Sequence, residues 1–363
     1  MLATLMTLTA ILITKQPTHN MAFFYRIIPT NTLVFHLNFL KSKEEPCSPV
    51  VEDNILYQGL YNGLILSQDI ENKKILWEYH TYGSPTSLSI YNKILIATTL
   101  NGMIYALNKS NGHLIWSYNT QKEIISRAVI YNNTLFVQTT MDNLYAFDAS
   151  TGSLNWQYAI KNLTGNLTVY ATPSPYVSDG MVYTGFSDGE AVALNANTGA
   201  VVWDKKPPTT KGFQDIITAP SGNSKVVVFG SYDNGLFCLN RKNGYLVWER
   251  NDLKRPIGLY TTPDSLYLIR VNGEIYRLDM RTGDTIWKTL IGKDADLFGP
   301  VLYDNLIAIG VGNTVKRGVM LLNKDDGKII DLFPIVSGLS APPDVTEDGI
   351  YATSNGGFLY KFK

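Results

Sequence analysis

The sequence predicts an all-β fold, an eight-bladed β-propeller of four-stranded antiparallel blades, and three observations carry that prediction. All six tryptophans occupy one position of a repeat, the repeat recurs at the period of four short strands, and the two ends of the chain hold fragments that complete one another. The clearest copy runs from Tyr105 to Trp116 on a skeleton of Asn108, Gly112 and Trp116. An alternating apolar run ends in a short carboxamide, which can bond the backbone two residues on and begin a turn. The glycine closes that turn, since it alone takes a positive φ without steric cost, and the chain reverses into a second run carrying the indole.

The same spacing returns as Asp148, Gly152, Trp156; Asn195, Gly199, Trp203; Asn240, Gly244, Trp248; and Asp279, Gly283, Trp287. An earlier copy loses the glycine (Asp69, Lys73, Trp77), and a later one loses the aromatic (Asn323, Gly327, Asp331). Successive tryptophans lie 39, 40, 47, 45 and 39 residues apart, the period of a four-stranded propeller unit. Six indoles at one repeat position read as packing between neighbouring blades rather than as a stacking platform.

A ring of repeats is one unit whatever its length, so residues 31–363 read as a single propeller, expected to be monomeric, with 1–30 set apart as an N-terminal lead. The apolar run Leu2 to Thr14 has the length of a signal-peptide core but lacks a basic n-region, and an export signal and a misplaced start stay open as alternatives. Residues 32–40 read as a lone strand, and the chain ends in a repeat of three strands, 340–363. Pairing the first with the last would close the ring and remove its open edges, so 32–40 are expected to be the outer strand of the last blade. The other blades are expected near 47–80, 84–119, 125–160, 170–205, 215–250, 257–290 and 297–333.

The balance of 31 basic and 31 acidic residues leaves no basic stripe for nucleic acid. Cys238 sits in an apolar strand and reads as a small buried hydrophobe. The four histidines show no metal-ligand spacing. Gly310-Val311-Gly312 is a glycine pair without the rest of a dinucleotide fingerprint. There is no nucleophile elbow. The sequence therefore argues against catalysis and assigns no catalytic, cofactor-binding or metal-binding residue.

The segments Asp148-Ala-Ser-Thr-Gly152 and Asp279-Met-Arg-Thr-Gly283 resemble the PQQ-type propeller repeat, over nearly the whole chain after residue 46. Eight short blades with a split last blade most resemble the BamB family, periplasmic β-propeller lipoproteins of the outer-membrane β-barrel assembly machinery. That resemblance implies a non-enzymatic interaction scaffold in the periplasm, at the inner face of the outer membrane. Its implied partners are a membrane-barrel insertase and nascent barrel proteins. One family feature departs: Cys47 follows Glu44-Glu45-Pro46 rather than small residues, and processing there would discard the closing strand, so Cys47 does not read as a lipid anchor and membrane attachment stays open. The quinoprotein dehydrogenases, the other branch of the superfamily, imply adjacent cysteines and axial ligands for pyrroloquinoline quinone and calcium. This chain has no adjacent cysteines. A PQQ-dependent oxidoreductase and a sensor of small ligands or glycans in the propeller channel are the alternative functions.

Departures from the period point to the binding surface. The intervals Trp156 to Asn195 and Trp203 to Asn240 exceed their neighbours, and the excess is expected largely in blade-to-blade connections and inner-strand loops. Loops on a rigid scaffold are the usual carriers of binding. The candidate protein-binding patch is Leu163, Lys205, Lys206, Phe213, Gln214 and Asp215, with Lys316 and Arg317 of a third insertion as the next candidates.

Overall fold

In the computed structural model, which describes residues 23–26 and 47–362 apart from 161–168, 207–211, 294, 313–316, 336, 348 and 357, the alternating runs pair into eight four-stranded antiparallel sheets. Blade 2 shows the plan, with strands Pro85–Tyr91, Ile94–Thr99, Met103–Asn108 and Leu114–Asn119 paired in chain order. First strands of neighbouring blades touch one another, which makes them the inner ring and the fourth strands the rim. Burial follows from that order. The second and third strands are buried between adjacent blades, whereas the fourth turns Trp116 inward and leaves Leu114, Ile115 and Ser117 exposed.

The blades span 50–80, 85–119, 129–159, 176–205, 221–250, 256–290 and 297–334, and the eighth combines 344–362 with Phe23–Arg26. An N-terminal strand closes the ring, as the sequence predicts, but it is not the expected 32–40. Phe23 to Arg26 pair with Lys361 to Phe358 on the outer edge of the last blade, inside the stretch expected to be a lead. Four residues suffice to cover that edge, and Phe23-Phe24-Tyr25 supplies aromatic strand formers for it. Residues 32–40 lie outside the described residues.

Across the closure, Leu56, Leu60, Leu66 and Ile70 of blade 1 pack with Tyr351 and Leu359 of blade 8. The Thr353 hydroxyl donates to Gln58 Oε1 at 2.6 Å, and the Val51 N–H donates to Asp344 Oδ2 at 3.3 Å. Gln58 in turn donates to the carbonyls of Cys47 and Gly59, so a buried amide joins the seam with its polar atoms satisfied.

Each indole staples its blade to the next. Trp116 Nε1 donates to the Ala149 carbonyl at 3.1 Å, just after the turn residue Asp148, and the other five tryptophans repeat this at Lys109, Ala196, Arg241, Met280 and Lys324. The same ring lies flat against the turn glycine of that next blade. Gly152 has φ +74°, and a Cβ added there would stand 2.6 Å from Trp116. The glycine thus answers two demands, a left-handed backbone and the approach of an indole. Asp148 Oδ1 accepts from the N–H groups of Ser150 and Thr151, as the turn reading expects.

Ring closure explains both irregular copies. The outer strand of blade 8, Phe23–Arg26, contains no tryptophan, so no indole lies against the blade 1 turn, and Lys73 occupies the glycine position at φ +57°. Blade 8 has no turn between its third and fourth strands, because the fourth arrives from the other end of the chain. Blade 7 therefore has no turn glycine to cover, and it carries Asp331 where the others carry tryptophan.

Candidate loop-face docking surface

In an antiparallel four-stranded blade, strand parity sends the second-to-third turns and the blade-to-blade connections to one face of the ring. The Asx–Gly turns go to the other. The two kinds of segment on the first face are hydrogen-bonded to each other. Thr81 N–H donates to the Gly63 carbonyl, Thr120 N–H to Gly102 and Ile291 N–H to Gly273, at 2.8, 2.9 and 2.9 Å.

On this face, between blades 4 and 5, Ser187, Asp188, Lys206, Gly212, Phe213, Gln214 and Asp215 line a cleft of about 470 Å³. Carboxylates in and behind its walls accept backbone bonds that hold them. Asp233 Oδ2 accepts from Phe213 N–H at 2.9 Å, Asp215 Oδ1 from Val169 N–H at 2.8 Å, and Asp142 Oδ1 from Ser187 N–H at 3.1 Å. Phe213 meets Tyr232 edge-on, with ring centroids 5.8 Å apart, a favoured aromatic geometry. Lys206 Nζ pairs with Asp188 Oδ2 at 2.6 Å.

Burial raises the carboxyl groups of Asp142 and Asp215 above the usual carboxylate range. Burial, then the charges of Asp188 and Asp204, does the same for Glu190. Carboxyl groups whose ionisation burial disfavours thus cluster in and around the cleft, beside one lysine and one aromatic ring.

Of the expected patch, the structure brings Lys206, Phe213, Gln214 and Asp215 into this one cleft. Asp215 is buried, at 2 % exposure, and ties the connection after blade 3 to the start of blade 5. Lys205 does not join them. It leaves its strand on the same side as Trp203, and a Cβ on Gly244 would stand 3.0 Å from its Cγ, so its stem lies along the neighbouring turn. Leu163 and Lys316 lie outside the described residues, and Arg317 lines a different cleft. Asp142, Asp188, Tyr232 and Asp233 escaped the sequence reading. Ser187-Asp188-Gly189 and Tyr232-Asp233-Asn234-Gly235 are plain turn signals, and only strand parity shows that they share a face with the long connections.

Arg241, 6 % exposed, donates to Tyr183 Oη, Asp179 Oδ2 and the carbonyls of Ser178 and Asn223, joining blades 4 and 5 on the opposite face. Cys47 and Cys238 are both buried, and burial pushes the Cys238 thiol up to about 12. Cys238 stands across from Trp248, where blades 2, 3 and 4 place alanine against the indole. Among the described residues no helix is long and apolar enough to cross a membrane, and no group of three or more His, Cys, Asp or Glu side chains could hold a metal ion.

Eight four-stranded blades stapled by Asx–Gly turns and indoles, with their irregular loops gathered on one face, define a repeat propeller of the PQQ type. The sequence model of the family described as outer membrane protein assembly factor BamB matches residues 83–289, more than half of the chain, and the chain belongs to that family. It is 26 % identical over 205 residues to the outer membrane protein assembly factor BamB of Legionella pneumophila (strain Paris), covering 53 % of this chain and 51 % of that protein. To the BamB of Pseudomonas aeruginosa it is 24 % identical over 205 residues, covering 54 % and 52 %. The chain thus spans about half the length of the curated relatives it matches. The crystal structure of BamB from Moraxella catarrhalis superposes with a TM-score of 0.76 at 21 % identity, over 95 % of this chain and 99 % of that one, a likeness of fold.

Proposed function

We propose that this protein is a non-enzymatic scaffold in the assembly of outer-membrane β-barrel proteins, working in the periplasm at the inner face of the outer membrane. Membership of the assembly-factor family carries the reading. The loop face supports it with a half-exposed aromatic, Phe213, set among charges on a rigid ring, which is the composition of interface anchors. In this reading the face docks a membrane-barrel insertase, and nascent barrel proteins reach the scaffold through that complex.

The test is affinity isolation of the tagged full chain from envelope extract, with the partners identified by mass spectrometry. An outer-membrane barrel insertase, recovered at stoichiometric yield and absent from an untagged control, is the expected result. Enrichment of no envelope protein would contradict the reading. So would stoichiometric binding of pyrroloquinoline quinone with calcium, followed by absorbance, which would favour an oxidoreductase.

A further inference from the structure

The loop face continues past Phe213 into a region of opposite charge. Tyr232, against which Phe213 packs, is covered on another side by the Arg255 guanidinium, 5.0 Å from the ring centroid. Beyond it, Asp233, Lys254, Arg255, Arg270, Val271 and Asn272 line a cleft of about 410 Å³. Val271 is also a wall of the next cleft, about 760 Å³, which reaches Ile257, Asp296, Phe298 and Arg317. Sharing that wall, the two clefts lie side by side as a groove across blades 5 to 8.

Its cations are displayed rather than paired. Several arginines and lysines of the ring are held by carboxylates, Arg241 by Asp179, Arg250 by Asp252, and Lys328 by Asp326. In the groove Arg270 is held by Glu274. Lys254, Arg255 and Arg317 are exposed, and among the described residues none of the three forms an ion pair. Arg255 is moreover fixed in a left-handed backbone, φ +54°, a conformation unfavourable for a residue with a long side chain. Two backbone bonds hold it there. Its N–H donates to the Tyr232 carbonyl at 2.9 Å, and its carbonyl accepts from Val271 N–H at 3.2 Å.

We infer that this groove binds an extended acidic segment of a protein partner, its carboxylates meeting Lys254, Arg255 and Arg317 and its apolar side chains meeting Val271 and Ile257. Those two apolar residues are half exposed, at 49 % and 38 %, and lie among the cations. In an extended strand, side chains on one side recur about every 7 Å, so a segment alternating acidic and apolar residues presents both to such a surface. A phosphate or lipid headgroup fits less well, because Val271 and Ile257 would lie uncovered beside a compact anion. The inference deepens the scaffold reading and rests on it only for the source of the segment.

The test is fluorescence anisotropy with the full chain and a short fluorescein-labelled peptide alternating glutamate and valine. A peptide alternating lysine and valine and vesicles of phosphatidylglycerol serve as competitors. Wild type should bind the acidic peptide with an affinity that falls as salt rises. Lys254→Glu with Arg255→Glu should weaken it about tenfold or more. Arg255→Gly keeps the backbone conformation while removing the guanidinium, and it should weaken binding several-fold. Lys93→Glu with Lys242→Glu makes the same change in net charge on the opposite face and should leave binding intact. Equal binding of the basic peptide, undiminished binding by the two groove variants, or an equal loss in the opposite-face variant would overturn the inference. Displacement by vesicles in preference to unlabelled acidic peptide would overturn it in favour of a lipid site. None of these outcomes depends on which protein the envelope isolation recovers.

Discussion

Trp116→Ala removes a buried indole, its hydrogen bond to Ala149 and the cover over Gly152 in one step. Large aromatic-to-alanine changes in packed surroundings cost about 3–5 kcal/mol. The expected outcome is a loss of that size in chemical denaturation, with partner binding by the remaining folded protein unchanged. Gly152→Ala tests the same contact from the other side. The substitution must take a positive φ and push against the Trp116 ring, so it should cost more than about 1 kcal/mol. An alanine tolerated at residue 152, or a Trp116 variant that melts like wild type but binds no partner, would place the indole in a surface rather than a seam. The sequence made the repeat legible here and its physics only half so. The Asx and glycine positions follow from turn chemistry, but the pressure of the preceding indole on the glycine appears only when adjacent blades are seen together.

At the scale of elements, the closing strand gives the sharpest test. A chain lacking residues 1–20 keeps Phe23–Arg26 and should fold like the full protein. One lacking 1–30 exposes the Phe358–Phe362 edge of blade 8 and should aggregate, since an unpaired strand edge is a template for association. Size-exclusion chromatography and thermal unfolding separate the two. Equal solubility and equal melting would mean that this strand does not close the ring. That blade 8 needs an outside strand was readable from its missing fourth run. Which run fills it was not, because 23–26 and 32–40 are both apolar and only pairing distinguishes them. The same limit applied to the docking surface. Lys206, Phe213 and Gln214 were found from the lengthened interval, but interval length says nothing of which side chains turn inward, and so it missed the burial of Asp215 and the turn of Lys205 along the neighbouring blade.

For the molecule as a whole, the loop face should respond to pH through its buried carboxylates. Burial raises Asp215 above its ordinary value, so the folded state holds that proton more tightly than the unfolded chain does. The ionised form weighs against folding at neutral pH, and that cost fades as pH falls through the raised pKa toward the unfolded value. Asp215→Asn, which keeps an acceptor for Val169 N–H, should therefore gain stability over wild type at neutral pH and lose that advantage on acidification. Urea titrations across the range would show it. An advantage independent of pH would mean that Asp215 is not held in a desolvated site.

This propeller is proposed to dock a protein through the face carrying Phe213 and Lys206. The most direct test is quantitative recovery of the insertase from envelope extract by wild type and by Phe213→Ala combined with Lys206→Glu. Both side chains are exposed, but Phe213 packs on Tyr232 and Lys206 pairs with Asp188, so some loss of melting temperature is expected and recovery is compared at a temperature where both proteins are folded. Removing a central aromatic anchor and reversing a neighbouring charge should cut recovery about tenfold or more. Undiminished recovery by the correctly folded double variant would contradict the account and place the docking surface elsewhere on the ring.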